Sequence, residues 1–288
     1  MILPPLFWAG NTVLARGMAE LIPPVAMSFW RWVVAVAILL PFTWHHTRRD
    51  WPQIKSGWKP IVILGLLGIA SFNTLLYTAA HSTTALNIAL TQSVMPAVIV
   101  LISFTLYREK VSYRQLIAVL LCILGAAYIV THGDWQRLLQ FRFVEGDLFM
   151  LLAVVLYGLY SVLLRQRPQI HPLSFLLTTF GVGVIALLPL YLWEMGHSAP
   201  LMLNLPVILS LLYLGLFPSI FAYLCWNRGI ELIGANRAGL FINLLPLFAS
   251  LMAVLFLGEQ FQSYHLFGMC FICAGLALFN WPRHRSAA

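Results

Sequence analysis

The fold is decided by a pattern that the sequence contains twice. Residues 96–125 read PAVIVLISFTLYREKVSYRQLIAVLLCILG, and residues 246–275 read PLFASLMAVLFLGEQFQSYHLFGMCFICAG. Both stretches carry proline, glutamate and glycine with the spacing P-x12-E-x15-G. A repeated spacing of this length indicates an internal duplication rather than a coincidence.

The duplication extends over most of the chain. Alignment of the sequence with itself at an offset of 150 residues needs no gap and also pairs Gly65 with Gly215. Further identical pairs are Ala85 with Ala235, and Leu116 with Leu266. We therefore predict a first repeat in residues 1–134 and a second repeat in residues 135–288.

The composition is that of a membrane protein. Hydrophobic residues make up 61% of the 288 residues and charged residues only 9%, whereas an average soluble domain is about 25% charged. Apolar runs long enough to cross about 30 Å of hydrocarbon recur along the chain. The predicted spans are 2–19, 25–44, 60–80, 84–106, 113–131, 146–165, 172–193, 205–227, 236–257 and 264–281. The first is expected to be a span rather than a signal peptide, because it lacks a basic leading region and a small-residue cleavage site.

The number of spans in each repeat predicts how the repeats are related. Five is odd, so the second repeat must enter the membrane from the opposite side and lie inverted. Inverted repeats commonly surround a site near the membrane midplane that opens to either side in turn. The sequence therefore predicts an all-α membrane protein of ten transmembrane helices, arranged as two inverted five-helix repeats around a central cavity. A duplicated scaffold without transport is the alternative.

The basic residues predict the orientation. With a cytoplasmic N-terminus, thirteen Lys and Arg lie on the cytoplasmic side and three on the other. The thirteen are Arg48, Arg49, Lys55, Lys59, Arg108, Lys110, Arg114, Arg165, Arg167, Arg228, Arg237, Arg283 and Arg285, and the three are Arg16, Arg137 and Arg142. Both termini are therefore expected to be cytoplasmic. The basic residues lie in short loops rather than on one soluble face, which argues against binding of nucleic acid.

The cysteines do not indicate a metal or cofactor. All four lie in apolar runs, and Cys270 and Cys273 form a C-x-x-C pair without a second Cys or His pair nearby. A structural zinc site needs about four ligands. We expect these residues to serve helix packing, and we expect no cofactor.

The whole pattern resembles a known superfamily. Ten spans, a five-plus-five duplication, and a proline in the fourth and ninth spans followed by a glutamate at the next loop are similar to drug/metabolite transporters of the EamA-type ten-helix family. The aromatic-rich, uncharged interior most resembles bacterial exporters of aromatic and other neutral amino acids. The resemblance implies efflux of a small metabolite across the bacterial inner membrane. The expected partners are that small molecule and membrane lipid, and the chain is expected to act as a monomer.

Two polar pairs are candidates for substrate binding. Asn73 and Tyr77 lie four residues apart and so share one helix face. Tyr223 and Asn227 follow 150 residues later, with the two residue types exchanged. The pairs could line a cavity at the symmetry axis, or could hydrogen-bond neighbouring helices.

The repeated prolines predict helix breaks. Pro96 frees the backbone carbonyl of Gln92, and Pro246 frees that of Ile242 beside Asn243. Gln92 and Asn243 are therefore candidates for binding an amino or carboxylate group. A kink satisfied by a neighbouring helix is the alternative.

Arg31 and several rings complete the candidate site. Arg31 is the only basic residue well inside a span, at a depth of about 9 Å, from which it could snorkel to the interface. It could meet a substrate carboxylate or cap backbone carbonyls. Trp8 and Tyr157 could stack on an aromatic solute, or belong to the ordinary interfacial aromatic belt.

The acidic residues bear on the mechanism. All nine Asp and Glu are predicted at span ends or in loops, while ion-coupled carriers usually bury a carboxylate. Facilitated diffusion is therefore expected, with a proton-coupled antiporter as the alternative. An intramembrane enzyme would need a nucleophile, base or metal ligands that converge in the spans, and a channel would more often be an oligomer. The chain is not expected to be an enzyme.

Overall fold

The protein, in a computed structural model, is built from helices. The structure describes residues 1–83, 85–134, 136, 144–197, 201, 204–257 and 262–280, and helix is the only regular secondary structure in them. Several residues of the sequence argument lie outside this part, namely Glu259 of the repeated motif and Arg137, Arg142, Arg283 and Arg285.

The helices fall into two series along the chain. The first series is α1 (Leu3–Gly17), α2 (Pro24–Ser56), α3 (Trp58–Leu64), a first π-helical segment (Gly65–Ser71), α4 (Phe72–Ser82), α5 (Ala85–Ser93), α6 (Met95–Tyr107) and α7 (Tyr113–Val130). The second is α8 (Glu145–Leu163), a 3-10 turn (Leu164–Gln166), α9 (Pro172–Met195), α10 (Leu205–Leu214), a second π-helical segment (Gly215–Phe221), α11 (Ala222–Ile233), α12 (Ala235–Leu240), a 3-10 turn (Phe241–Asn243), α13 (Leu244–Leu257) and α14 (Ser263–Asn280).

Eight stretches of the described residues are long and apolar enough to cross a membrane. They are Pro24–Ser56, Trp58–Ser82, Asn87–Tyr107, Tyr113–Val130, Glu145–Gln166, Pro172–Met195, Leu205–Ile233 and Ala235–Met252. The predicted first span forms the 15-residue α1, and the predicted last span forms a shorter apolar helix, Ser263–Phe279. The chain is therefore an all-helical integral membrane protein, and the count of ten spans remains a prediction.

Helix α2 is longer than the sequence predicted. The predicted span ended at residue 44, and the polar residues around Arg48 were expected to form a connection. Instead α2 continues without interruption to Ser56. Its 33 residues measure about 50 Å, more than the hydrocarbon thickness of about 30 Å. Hydropathy marks where a helix leaves the lipid, and polar residues can continue the same helix in water.

Small residues hold α7 against α14. A Cβ atom on Gly125 would lie 2.7 Å from the carbonyl oxygen of Gly268, and one on Gly275 would lie 2.5 Å from Cys122 Sγ. The Cys122 thiol lies 3.6 Å from the carbonyl oxygen of Ile272. Close backbone approach through small residues is a common way to pack helices in lipid.

The two π-helical segments make reciprocal contacts. They begin and end at positions 150 residues apart. A Cβ atom on Gly65 would lie 2.8 Å from Val182 of α9, and one on Gly215 would lie 2.6 Å from Val34 of α2. Each segment thus packs on the long second helix of the other series, a pattern expected when two units are related by a two-fold axis.

Candidate functional site

The centre of the protein is organised around Arg31. Its side chain is 0% exposed. Nε and Nη2 donate to Ser219 Oγ at 3.0 and 2.8 Å. Nη1 lies 2.6 Å from Asn73 Oδ1, 2.6 Å from Tyr77 Oη and 3.2 Å from Asn11 Oδ1. Arg31 therefore does not snorkel to the interface, because acceptors from three other parts of the chain surround it within the bundle.

Every one of these acceptors is neutral. No carboxylate of the described residues pairs with Arg31, and its guanidinium lies 4.6 Å from the centre of the Trp32 ring. A basic side chain in the middle of a membrane helix costs about 2.5–3.5 kcal/mol on insertion scales. Dipoles and the faces of two aromatic rings, Trp32 and Tyr77, offset this cost, and the centre retains a net positive charge.

Equivalent carbonyl groups of the two π-helical segments face the same centre. The carbonyl of Gly68 accepts a hydrogen bond from Tyr223 Oη at 2.5 Å, and that of Pro218, 150 positions later, accepts one from Trp8 Nε1 at 3.1 Å. A π turn widens a helix locally and is frequent at functional sites. The two segments thus expose backbone acceptors at the point where the helices converge.

Aromatic rings fill the space beside the Arg31 cluster. The ring centroid of Trp8 lies 5.7 Å from that of Tyr157, 6.2 Å from that of Tyr223 and 5.2 Å from that of Trp226. Tyr157 and Tyr160 are 5.3 Å apart. These separations are those of favourable edge-to-face and tilted aromatic pairs.

A small central cavity lies between the rings and the amides. Its volume is about 20 Å³, and Trp8, Asn11, Gln92 and Tyr157 are among its lining residues. That volume holds about one water molecule. Asn11 both lines this cavity and accepts a hydrogen bond from Arg31, so it connects the cavity to the buried charge.

A larger groove adjoins the central cavity. The groove has a volume of about 580 Å³ and runs beside α1, α7 and α13. Thr12 and Leu245 line both the groove and the cavity. Pro246 lies in the groove wall, two residues into α13.

The structure brings several predicted site residues together. Asn73, Tyr77 and Tyr223 join Arg31 in one hydrogen-bonded cluster, and Asn73 Nδ2 lies 3.5 Å from Tyr223 Oη. Trp8, Gln92 and Tyr157 meet at the central cavity. The exchanged pairs of the two repeats therefore approach each other at the centre.

The remaining predicted residues lie around this cluster. Asn227 accepts a hydrogen bond from Tyr160 Oη at 2.8 Å. Asn243 is fully buried, and neither polar atom of its side chain has a partner among the described residues. Helix α5 ends at Ser93 and α6 begins at Met95, next to Pro96.

Sequence reasoning did not select Asn11 and Ser219 for the site. Each contacts Arg31 directly. A signal was available, since both are polar residues within long apolar runs, and such residues usually face the interior of a membrane bundle.

Two carboxylates are buried, contrary to what the sequence predicted. Asp147 is 1% exposed. It accepts hydrogen bonds from Thr83 Oγ1 at 2.6 Å, Asn87 Nδ2 at 3.1 Å and the Val144 N–H at 2.9 Å. The carboxylate thus sits at the first turn of α8, where the positive end of a helix dipole favours a negative charge.

Glu194 is buried at the same end of the protein. Its two carboxylate oxygens accept hydrogen bonds from the N–H groups of Val25 and Ala26, at 3.0 and 2.6 Å. It thereby caps α2, whose first N–H groups have no partner within the helix. A position at the end of a span does not imply exposure, because helix N-termini supply donors that make burial of a carboxylate possible. The end of the protein marked by Asp147 and Glu194 is called the aspartate end below.

The opposite end is closed by charged side chains and is called the arginine end. Arg165 Nη2 lies 2.6 Å from Glu109 Oε1, and Asn236 Nδ2 donates to Glu109 Oε2 at 2.8 Å. Gln166 Nε2 donates to Tyr107 Oη at 2.6 Å. The glutamate of the repeated motif thus ties the end of α6 to the start of α12 and to the turn after α8.

Metal ligands do not converge in the part of the chain that the structure describes. That part holds no group of three or more His, Cys, Asp or Glu residues able to bind an ion. The four cysteines are free thiols.

Comparison with known sequences points to a family of transporters. The profile of a family described as the EamA-like transporter family matches residues 1–131 and 144–281. The "Uncharacterized transporter YyaM" of Bacillus subtilis is 24% identical over 275 residues, which cover 94% of this chain and 89% of that protein. An "Uncharacterized transporter" of Archaeoglobus fulgidus is 25% identical over 283 residues, covering 97% of this chain and 96% of that protein.

A solved structure shares the fold. A crystal structure of a protein with 18% sequence identity superposes with a TM-score of 0.74, covering 96% of this chain and 94% of the other. At this identity the likeness concerns the arrangement of helices alone.

Proposed function

The chain belongs to the EamA-like transporter family, and from this membership we propose that this membrane transporter exports small neutral metabolites, specifically aromatic amino acids, across the bacterial inner membrane. Family and relatives alike indicate a transporter rather than an enzyme. Export is proposed to proceed by alternating access, without coupling to an ion gradient.

The observation that carries the choice of substrate is the buried charge of Arg31. Its acceptors are all neutral, so a carboxylate would complete an ion pair there, and guanidinium and carboxylate groups fit each other in a bidentate geometry. The rings of Trp8, Tyr157 and Tyr223 lie beside it and offer faces and edges to an aromatic side chain. A free aromatic amino acid presents both groups.

The remaining predicted residues would hold the amino and carboxylate groups of the substrate. Gln92 and Asn11 line the central cavity and carry amide groups. Tyr77 is hydrogen-bonded to both Arg31 and Asn11. A carboxylate bound at the guanidinium would therefore take over hydrogen bonds that Arg31 donates to Tyr77 and Asn11. Asn227 and Asn243 are proposed to contact the substrate at other stages of transport, since both carry unpartnered polar atoms in the described structure.

Alternating access requires the two ends to open in turn. The central cavity of about 20 Å³ is too small for an amino acid, and the 580 Å³ groove beside it opens toward the aspartate end. The Glu109–Arg165 pair closes the arginine end. We propose that this pair separates when the centre opens toward the arginine end.

Ten spans in two inverted repeats are proposed as the framework for this motion. The reciprocal packing of the π-helical segments supports a two-fold relation between the halves, and five spans per half make that relation an inverted one. Both termini are proposed to be cytoplasmic from the excess of Lys and Arg at the arginine end. A reporter enzyme that works only in the cytoplasm can be fused after Ala288. Activity of this fusion would agree with the proposed orientation.

The hydrogen bonds of the two buried carboxylates support the facilitator mechanism. Asp147 accepts three hydrogen bonds and Glu194 two, and both serve to cap helices. The alternative is a proton-coupled antiporter, for which Asp147 is the specific candidate because it is the most deeply buried acid of the described residues.

Uptake into proteoliposomes tests the function. Purified protein should accelerate equilibration of labelled L-phenylalanine and L-tryptophan, and should not accelerate that of L-phenylalaninamide, which has the same ring but no carboxylate. Equal transport of the amide would contradict the role given to Arg31. Absence of transport for every amino acid tested would overturn the proposed substrate class.

A further inference from the structure

A second cavity lies at the arginine end, between the turn that follows α8 and the last turns of α11. Its volume is about 200 Å³, and Arg167, Asn227, Ile230 and Glu231 are among its lining residues. It is about ten times as large as the central cavity. We call it the arginine-end cavity.

Asn227 forms the buried wall of the arginine-end cavity. The residue is 4% exposed. Its Oδ1 accepts the hydrogen bond from Tyr160, but its Nδ2 has no partner among the described residues. A buried donor without an acceptor is costly, and in the wall of a cavity it is satisfied when a ligand supplies an acceptor atom.

The mouth of the arginine-end cavity carries both signs of charge. Arg167 Nη2 lies 2.8 Å from Glu231 Oε2, and the Arg167 side chain is the more buried of the two. A guanidinium has five N–H donors, so the bond to Glu231 leaves others available. The guanidinium of Arg167, the carboxylate of Glu231 and the amide donor of Asn227 therefore all line the same cavity.

We propose that the arginine-end cavity is a second binding site for a zwitterionic amino acid, loaded before the central site. The carboxylate of the amino acid binds Arg167 and Asn227 Nδ2, and its ammonium group binds Glu231. The identity of the ligand rests on the proposed function, whereas the site itself rests on the charges and the unpaired amide.

The side chain of Tyr160 lies between the arginine-end cavity and the aromatic cluster. The Tyr160–Asn227 hydrogen bond separates the arginine-end cavity from the aromatic cluster, and the Tyr160 ring lies 5.3 Å from Tyr157 and 5.9 Å from Tyr223. Rotation of Tyr160 away from Asn227 therefore connects the two sites. An amino acid bound at Arg167 could then pass to the aromatic cluster that contains Tyr157 and Tyr223.

Thiol protection tests this site directly. The four native cysteines are replaced by alanine, Ile230→Cys is introduced, and modification by a membrane-impermeant methanethiosulfonate is timed in the full-length protein. L-Phenylalanine should slow the reaction. L-Phenylalaninamide and N-acetyl-L-phenylalanine, which lack the carboxylate and the ammonium group respectively, should need concentrations about tenfold higher, as expected for loss of one charge-assisted hydrogen bond.

A matched pair of variants separates the site from general charge effects. Arg167→Gln should raise the half-protecting concentration of L-phenylalanine about tenfold. Arg228→Gln removes the same charge from the same partner, Glu231, but Arg228 is an exposed residue, so the change should stay below about twofold.

Several results would overturn the site. They are no protection by L-phenylalanine, equal protection by all three compounds, and an unchanged half-protecting concentration in Arg167→Gln. Loss of protection in Arg31→Gln but not in Arg167→Gln would show that protection comes from the central site. If the protein transports L-phenylalanine but the amino acid does not protect the introduced thiol, this inference alone fails; if it transports no amino acid, the proposed function fails.

Discussion

The amide nitrogen of Asn73 lies 3.5 Å from the hydroxyl oxygen of Tyr223, the residue 150 positions further along the chain. Cys122 and Ile272 are also 150 positions apart and in contact. Equivalent positions of two related units meet only close to the axis that relates them. The proposed two-fold axis would therefore pass close to the exchanged Asn/Tyr pairs, beside Arg31.

Tyr77→Phe should impair transport while the protein still folds. The hydroxyl group of Tyr77 accepts from Arg31 at 2.6 Å and donates to Asn11 at 2.7 Å. A hydrogen bond to a charged group is worth about 1.5–3 kcal/mol, so initial rates of L-phenylalanine uptake should fall about tenfold or more. Tyr213→Phe is the control, because the Tyr213 hydroxyl donates to the carbonyl oxygen of Phe7 at 3.4 Å and not to the acceptors of the Arg31 cluster. Equal rates in wild type and Tyr77→Phe would remove Tyr77 from the site.

Arg31→Lys should be destabilising although the charge is kept. An ammonium group is a compact donor and cannot reach Ser219, Asn73 and Tyr77 in the fork geometry of a guanidinium. At least one buried acceptor is then unpaired, at about 1–3 kcal/mol. Thermal unfolding in detergent should show a lower midpoint for Arg31→Lys than for Arg228→Lys, which changes an exposed residue. An unchanged midpoint would mean that the buried network contributes nothing to stability.

Reversal of one charge at the arginine end should reduce transport, and reversal of both should restore part of it. Glu109 and Arg165 are each 37% exposed, so their pairing contributes little to stability, about 0–1 kcal/mol. The role proposed for the pair is instead to hold the arginine end closed. We expect slower exchange in Glu109→Arg and in Arg165→Glu, with partial recovery in the double variant. Additive losses in the double variant would show that the two residues act independently.

Transport should persist without ion gradients. In proteoliposomes, collapse of the proton and sodium gradients with ionophores should leave equilibration of L-phenylalanine unchanged, because Asp147 and Glu194 are held as helix caps. Asp147→Asn should lower the unfolding midpoint without altering the response to pH. Strict dependence on an imposed pH gradient, lost in Asp147→Asn, would establish the antiporter instead.

Gly125→Ala should weaken the contact between α7 and α14. The new Cβ atom would lie 2.7 Å from a backbone oxygen of Gly268, whereas no atom lies within 4 Å of a Cβ on Gly181. Overpacking costs about 1–3 kcal/mol, so Gly125→Ala should unfold at lower temperature than wild type. Gly181→Ala, which gains the same helix propensity, should be at least as stable as wild type.

Much of the architecture could be predicted because lipid imposes simple rules. Helices long enough to cross a bilayer follow from apolar runs, as at Tyr113–Val130, where the helix and the predicted span differ by one residue. The end of α2 at Ser56 could not be predicted in the same way, because hydropathy falls at the lipid boundary while the helix continues.

The site was harder to predict because hydrogen bonds depend on distance in space. The spacing of Asn73 and Tyr77 indicated a shared face, but Ser219 joins them only through the fold. A π turn at Gly65–Ser71 leaves no mark in hydropathy, since the same residues could continue an α-helix. Burial of Asp147 depends on Thr83 and Asn87, which the sequence places more than 50 residues away.

The network around Arg31 also has a consequence for biogenesis. Arg31 and Ser219 are separated by 188 residues, which a ribosome synthesises in about 10–40 s at 5–20 residues per second. Asn73 and Tyr77 are made much earlier, 42 and 46 residues after the arginine. During this interval the nascent chain holds a guanidinium that lacks one of its final acceptors, and the hydrogen bonds of its second helix are complete only when the later half has been inserted beside it.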